Sequence, residues 1–281
     1  MMAARDGSCT YEGSSVVKLF VGGQGRCAVL SSKCGLVFVA LAALVACSSV
    51  PTGDAHLATS PWAMASSRTA PTSPWQHHTF PGKQATQFAY AREEGRDAVA
   101  AHAVSSASML RHKLRIEPAD LGSVHFSWKV PQLIAQADMA VRESDDSPVR
   151  VILVFEGDRA AFSARNAMMS ELVRALTGEE LPYATLMYVW DNQRAPGSLI
   201  VSPRTDRIRK LVMESGPGRL GRWMDYERDV RADFEQAFGE APGALVGIGV
   251  MTDTDNTRST LQAWYGPVRL LPAGATAARA P

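Results

Sequence analysis

The feature that most constrains the fold of this chain is a series of short runs in which apolar side chains recur at every second position. The cleanest run covers residues 124–130, where apolar and polar side chains alternate until Pro131. Successive side chains of a strand point to opposite faces, so this spacing is typical of strands with one buried face. Similar runs predict further strands at residues 149–155, 184–190, 208–213, 245–251 and 263–270.

Two segments with helical spacing interrupt these strands. Residues 166–177 end before Gly178 and residues 230–238 end before Gly239, and glycine is a common helix terminator. Strands separated by turns, with helices as insertions rather than regular crossovers, favour an antiparallel sandwich over a doubly wound sheet. The sequence therefore predicts a mainly β fold, a jelly-roll-like antiparallel β-sandwich with two short helical insertions.

The charge balance excludes one large class of partner. The 281 residues carry 29 Lys and Arg against 28 Asp and Glu, a formal net charge of +1. Dedicated nucleic-acid binders usually show a strong basic excess. We therefore expect no nucleic-acid partner.

The first part of the chain has the layout of a secretory signal. Residues 36–46 are eleven apolar residues preceded by Lys33, whereas a membrane-spanning helix needs about 20. Residues 44–47, Leu-Val-Ala-Cys, resemble the bacterial lipobox, in which cleavage before the cysteine leaves a lipid on its sulfur. The sequence predicts a signal at residues 1–46 and a lipid anchor at Cys47; a buried apolar helix and a plain secretory signal are the alternatives. The long segment before Lys33 indicates a start site further downstream.

The rest of the chain divides by composition. Residues 47–78 are rich in Ser, Ala, Thr and Pro, which predicts a flexible tether after the lipidated cysteine. Residues 79–272 are expected to form one globular domain, and residues 273–281 an Ala-rich disordered tail. Ser48 after Cys47 resembles the signal for transfer to the outer membrane, so we expect a lipid-anchored envelope protein, at the periplasmic face of that membrane.

Three separated motifs resemble a known family. They are Pro-Tyr-Ala-Thr-Leu-Met-Tyr-Val-Trp at 182–190, Thr-Asp-Arg-Ile-Arg-Lys at 205–210, and Thr-Asp-Thr-Asp-Asn-Thr at 252–257, followed by Trp-Tyr-Gly at 264–266. In this order they resemble the bacterial domain-of-unknown-function family 3047 over residues 79–272, which implies a domain but no activity. The run Ala-Trp-Tyr-Gly-Pro-Val-Arg-Leu at 263–270 also resembles the last strand of carbohydrate-binding jelly rolls.

Two neighbouring segments supply the candidate ligand-binding residues. An exposed ring flanked by hydrogen-bonding groups suits a sugar, and Tyr188, Trp190 and Asn192 offer that arrangement. The basic strand at 207–210 places Arg207 and Arg209 on one face and Ile208 and Lys210 on the other. Its cations either form a structural ion network, with partners such as Glu156, Asp146 and Glu214, or clamp an anion or sugar hydroxyl.

A candidate metal site follows the strand at 245–251. Asp253, Asp255 and Asn256 form an oxygen-rich loop of the kind that holds calcium. The loop does not match an EF-hand, because Arg258 and Trp264 stand where that motif needs Gly and Glu. The alternative is a turn in which Asp and Asn side chains bond their own backbone.

Enzyme motifs are scarce, so the sequence favours a binding role. It contains no Gly-x-Ser-x-Gly elbow, phosphate-binding loop or His-Glu-x-x-His motif. His125 is the one histidine with a catalytic interpretation, and Glu156, Asp146 and Glu214 are the acids that a glycoside-cleaving site could use. The leading hypothesis is an envelope lipoprotein whose jelly roll binds a glycan or another polar envelope component. The alternatives are an assembly lipoprotein that docks another envelope protein, and a carbohydrate-active hydrolase or lyase.

Overall fold

The computed structural model describes residues 74–274. The predicted signal segment, the predicted lipidation site at Cys47, the tether before residue 74 and the tail from residue 275 lie outside these residues. Between residues 74 and 274, no helix combines the length and the apolar character needed to cross a membrane.

The described chain is built mainly from strands. They are β1 Trp75–Thr79, β2 Gln87–Glu93, β3 Arg96–Val104, β4 Ala107–Ile116, β5 Leu121–Lys129, β6 Ser147–Phe155, β7 Ala184–Asp191, β8 Leu199–Val201, β9 Ile208–Ser215, β10 Trp223–Asp229, β11 Leu245–Asp253, β12 Thr260–Tyr265 and β13 Arg269–Pro272. Two α-helices interrupt them, α1 Ala164–Thr177 between β6 and β7 and α2 Val230–Phe238 between β10 and β11.

The strands form two sheets. A seven-stranded sheet has the order β1-β4-β11-β6-β7-β9-β8, and a six-stranded sheet has the order β10-β5-β12-β3-β2, with β13 pairing with β5. Among the named strand pairs of the described chain, β7 and β9 run parallel and the others antiparallel. The predicted jelly-roll-like sandwich with two helical insertions is confirmed, with this one parallel pair as a departure.

The main core lies between the two sheets and is rich in aromatic rings. Phe126 of β5 stacks on Tyr188 of β7 with ring centroids 5.1 Å apart, which joins the sheets directly. Phe234 of α2 packs on Phe155 of β6 at 4.6 Å, so α2 adds its apolar face to the same core. Such aromatic pairs add to the burial of large apolar surfaces.

The predicted strand at residues 263–270 is two strands, because Gly266 and Pro267 interrupt it. The backbone N–H of Gly266 donates to the carbonyl oxygen of Ser127 at 2.9 Å, and a Cβ at position 266 would stand 2.0 Å from Ser127 Oγ. A side chain at position 266 would clash with the side chain of Ser127, so glycine fits here. Pro267 has no backbone N–H to donate to a neighbouring strand. The chain leaves the sheet at β12 and returns to β5 as β13.

The outer face of the seven-stranded sheet, which points away from the six-stranded sheet, has a second apolar cluster. The connection between β5 and β6 covers one end of this face, where Met139 packs with Val189 and Val212. The rest of the outer face is open, and α1 is the element that lies over it.

Candidate ligand-binding groove

Two glycines of β11 leave a depression in the outer face, because they have no side chains. Gly247 and Gly249 alternate with Ile248 and Val250, which belong to the core between the sheets. Neither glycine has a positive φ, and a Cβ at position 247 would lie 3.6 Å from its nearest neighbour, the carbonyl oxygen of His112. The backbone therefore does not require glycine at 247. Glycines inside strands often mark a place where a ligand approaches the backbone closely.

The neighbouring strands continue this floor in register. Gly249 lies beside Ile152 of β6, which in turn lies beside Met187 of β7 and then Lys210 of β9. The apolar side chains that line the resulting groove from the sheet are Met109, Ile152, Val154, Met187, Ile208 and Met251.

The groove is large for a binding site. Its cavity volume is about 1330 Å³, whereas typical small-molecule sites occupy roughly 300–1,000 Å³. It is lined by residues of β1, β4, β11, β6, β7 and β9, so it extends across six adjacent strands. This shape suits an elongated ligand.

Helix α1 lines the same cavity with an apolar stripe. Met169, Leu172, Val173 and Leu176 recur at helical spacing and all line the groove. The only buried residues of α1 in the described structure are the polar Asn166 and Ser170. Leu172 is 53 % exposed and Leu176 is 68 % exposed. These two leucines are therefore not buried against the sheet.

Polar contacts hold the first half of α1. Asn166 donates from Nδ2 to Asp206 at 2.7 Å and accepts from the Thr205 hydroxyl at 2.8 Å, just before β9 begins. Arg159 donates to the Ser170 hydroxyl at 2.9 Å. The helix is thus fixed near β9 by hydrogen bonds.

An ion pair fixes the other end of α1. Glu179, two residues after the helix, contacts Arg111 at 2.6 Å and Lys113 at 3.0 Å, both on β4. The hydrogen bonds from these two cations lower the pKa of Glu179 to about 2. Four strand spacings from β9 to β4 span about 19 Å, and a 14-residue helix is about 21 Å long. We infer that α1 crosses the groove as a strap.

Buried charges close one end of the groove. Lys210 Nζ donates to Asp145 at 2.6 Å and to the carbonyl oxygen of Met139 at 2.9 Å. Arg150 contacts both Asp145 and Asp253 at 3.1 Å. Burial, assisted by the charge of Arg150, lowers the pKa of Lys210 to about 8.

The predicted metal residues adjoin this cluster, with one replacement. Carboxylate oxygens of Asp146, Asp253 and Asp255 lie within 4.8 Å of one another. The side-chain amide of Asn256 donates from Nδ2 to the carbonyl oxygen of Arg142, and the role of Asn256 as a metal ligand stays a prediction. Asp146, from a distant part of the chain, accepts hydrogen bonds from the backbone N–H groups of Asn256 and Thr257, which is not the local capping of the alternative turn interpretation.

Asp253 and Asp255 behave as a pair. Burial raises the pKa of Asp253 well above its ordinary value, while the pKa of Asp255 is lowered, against the effect of burial, by the hydrogen bond with Asp253 and by Lys83. Asp253 Oδ1 has no hydrogen-bond partner among the described residues. Lys83 and Arg150 already compensate the charge here, and calcium binding stays a prediction.

The predicted aromatic platform is wrong. Trp190 is 1 % exposed and its indole N–H donates to the carbonyl oxygen of Gly216, while the buried Tyr188 hydroxyl donates to Asp233. All eight residues of β7 are buried, because this strand lies inside its sheet, and Tyr188 and Trp190 face the core between the two sheets rather than the groove. Asn192 donates to the carbonyl oxygens of Ile134 and Ala137 and so holds a loop.

The basic strand alternates as predicted, but its partners differ. Ile208 and Lys210 line the groove. Arg207 lies 4.0 Å from the centre of the Tyr183 ring and pairs with Glu240 at 2.5 Å. Arg209 donates from Nε to the carbonyl oxygen of Asp206 at 2.9 Å. Arg207 is thus held by partners within the protein, whereas Arg209 makes one hydrogen bond to a backbone carbonyl.

Glu156 and Glu214, which the sequence suggested as ion-pair partners or catalytic acids, lie in different parts of the structure. Glu156 pairs with Arg115 at the groove rim, and Glu214 accepts from Tyr226 away from the groove. The predicted ion-pair partners of the basic strand are therefore wrong, since Asp145 and Glu240 take that role. His125 lies instead in a separate cavity of about 470 Å³, beside Ser127 and Asp225.

Two features of the sequence indicate the groove, the glycines of β11 and the methionines of the neighbouring strands. In β11, Gly247 and Gly249 alternate with core residues; Met251 is paired with Met109 of β4, and Met187 of β7 lies in register with Gly249. Alternating glycines in an otherwise apolar strand would have indicated an open sheet face.

Comparisons with known proteins give a family and distant structural likenesses. The model of the family described as Protein of unknown function (DUF3047) matches residues 73–269. No curated protein matches the chain.

The similar solved structures have low sequence identity. The family 11 carbohydrate-binding module of the cellulosomal cellulase Lic26A-Cel5E of Clostridium thermocellum has a TM-score of 0.34 and 7 % identity, over 75 % of this chain and 94 % of that chain. The xyloglucanase domain of NopAA, a type three effector from Sinorhizobium fredii, has a TM-score of 0.36 and 8 % identity, over 70 % and 92 %. The family 11 xylanase from Neocallimastix patriciarum has a TM-score of 0.32 and 9 % identity, over 67 % and 87 %.

Proposed function

The chain belongs to the DUF3047 family, whose description assigns no activity, and we propose that its β-sandwich is a binding module that holds an elongated ligand in the outer groove. The observation that carries this proposal is the open cavity of about 1330 Å³ over the glycine floor of β11. A concave, largely apolar site with a few polar groups is the usual form of a binding site.

Two ligand classes would use different parts of this groove. A glycan, the ligand expected from the sequence, would contact rim groups such as Phe80, Tyr183 and Arg115. An aliphatic chain would contact the floor and α1. Both are elongated, and both occur in bacterial envelopes.

The proposal includes the predicted position of the module in the cell. The lipid on Cys47 and the tether between Cys47 and the start of β1 at Trp75 would place the domain at the periplasmic face of the outer membrane. The role is binding without conversion of the ligand. Docking of another envelope protein and glycan cleavage are the alternatives to this proposal.

Calorimetric titration of a matched pair of variants tests the proposed function. The full chain would carry Cys47→Ser, so that no lipid anchor contributes an acyl chain. The probes are maltohexaose, cellohexaose, soluble peptidoglycan fragments and decyl maltoside below its micelle concentration. Gly247→Leu fills the floor, where a Cβ has room, whereas Gly218→Leu adds the same side chain at a position with nothing within 4 Å.

We expect saturable binding of at least one probe with one site per chain. Gly247→Leu should weaken this binding at least tenfold, and Gly218→Leu should leave it unchanged. Binding of no probe, or equal binding by the Gly247→Leu chain, would contradict the proposed function.

A further inference from the structure

We propose that the slot between α1 and the seven-stranded sheet binds the aliphatic chain of a long-chain amphiphile. This inference rests on the proposed function and narrows its ligand to one chemical class. It is carried by the lining of the slot, which is apolar on two opposed sides.

The roof and the floor of the slot are both built from aliphatic and thioether side chains. Leu172 and Leu176 line it from α1, and Ile152, Met187 and Met251 line it from the sheet. Methionine is unbranched and polarizable, so it adapts to a flexible chain better than to a rigid ring system. Filling the slot would bury the apolar stripe that α1 leaves exposed.

Most charged groups of the lining lie in pairs rather than free for a ligand; Arg204, which is exposed, is the exception among the lining arginines. Arg111 pairs with Glu179, Arg115 pairs with Glu156, and Lys83 pairs with Asp255. A glycan or a peptide backbone placed along the slot would lose water from many polar groups without gaining matching partners, which is costly. An aliphatic chain carries no such groups.

The way in which α1 is attached to the sheet also suits an aliphatic chain as the ligand. Its contacts near β9 and β4 are polar, so the apolar middle of the helix spans the groove without packing on the sheet. An aliphatic chain that enters beneath α1 would contact the helix and the sheet at once, and the polar head of the amphiphile would stay at the rim of the groove.

Alkyl maltosides of increasing chain length test this inference directly. Hexyl, octyl and decyl maltoside share one head group, decanoate shares the decyl-length chain with a carboxylate head, and maltohexaose has no chain. Titrations would use the full chain carrying Cys47→Ser, below micelle concentrations. We expect affinity to rise by up to about fourfold for each added methylene, the ratio typical of a buried CH₂, and maltohexaose not to bind.

A second set of variants tests whether the aliphatic chain of the ligand contacts α1. The Leu172→Gln, Leu176→Gln double variant should weaken decyl maltoside binding at least tenfold. Met168→Gln is the matched control, because Met168 is 69 % exposed on the same helix and does not line the groove. All three substituted residues are exposed, so the thermal unfolding midpoint should stay within a few degrees.

The outcomes separate this inference from the proposed function. If maltohexaose binds, Gly247→Leu abolishes that binding and alkyl length has no effect, the aliphatic-chain inference is wrong and the groove remains a binding site. Equal loss of affinity in Met168→Gln and in the double variant would also overturn the inference. If no probe binds at all, the proposed function itself fails.

Discussion

Asp145 joins two buried cations at the closed end of the groove. Its carboxylate accepts from Lys210 at 2.6 Å and from Arg150 at 3.1 Å, and all three side chains are buried. A buried charge is tolerated when a partner compensates it, and removing one partner leaves the other charge uncompensated. Asp145 therefore holds the connection between β5 and β6 on the sheet.

Asp145→Asn should destabilise the domain strongly, because it leaves Lys210 with no carboxylate at hydrogen-bond distance. We expect the free energy of unfolding to fall by about 3–5 kcal/mol, as measured by urea denaturation. Asp225→Asn is the matched control, since Asp225 is 63 % exposed and pairs with Arg96 at the surface. The control should change the free energy by about 1 kcal/mol or less. Equal effects of the two variants would contradict the structural role of Asp145.

At the scale of elements, α1 is attached differently from α2. Helix α2 buries Phe234 in the core between the sheets, whereas α1 is held by polar contacts near β9 and β4. Elements with few buried apolar contacts open locally at low free-energy cost. The strap is therefore the part of the groove that is best able to admit a ligand.

Glu179→Gln should loosen the strap at its C-terminal end. The pKa of Glu179 is lowered to about 2 from an ordinary 4.5, so its ion pairs contribute fully above pH 4.5 and are lost as the pH falls towards 2. Glu179 is 44 % exposed, and we expect a contribution of about 1 kcal/mol or less.

Amide hydrogen exchange at neutral pH measures this effect. Exchange in the second half of α1 should be faster in Glu179→Gln. It should be nearly unchanged in Glu171→Gln, since Glu171 pairs with Arg174 inside the same helix. The same exchange rates in the two variants would show that Glu179 does not anchor the strap.

The sequence predicted several elements that have bulky apolar residues, but it missed β4 and β10, which also carry such residues. The predicted and observed bounds of α2 agree, and the strand at residues 149–155 is most of β6. The alanine-rich strands β2 and β3 were not predicted, because alanine has a low strand propensity and gives a weak alternation. Their burial depends on pairing with each other and with β12, which is information from distant parts of the chain.

The candidate site was less predictable than the fold. Trp190 is followed by Asp191 and Asn192, and this polar pair suggested an exposed edge. Asp191 instead accepts from the backbone N–H groups of Gln193 and Arg194, which is a turn-capping role. Which face of β7 is covered depends on α1 and on the connection after β5, and local sequence does not encode their placement.

At the scale of the whole molecule, the proposed lipid anchor at Cys47 would decide where the groove operates. Labelling of growing cells with a radioactive fatty acid should label the chain, and Cys47→Ala should abolish the label because the sulfur carries the lipid. A chain whose label survives Cys47→Ala, or that takes up no label, would contradict the predicted anchor. Cys27→Ala, upstream of the predicted cleavage site, is the matched control and should leave the label unchanged.

The central claim is that a ligand occupies the outer groove, and methionine methyl NMR tests it most directly. Of the 11 methionines, Met109, Met169, Met187 and Met251 line the groove, while Met213 and Met224 pack against the core between the sheets. Titration with decyl maltoside should shift the four groove signals along one saturation curve and leave Met213 and Met224 in place. Saturable binding that shifts Met213 and Met224 but not the groove methionines would contradict the account.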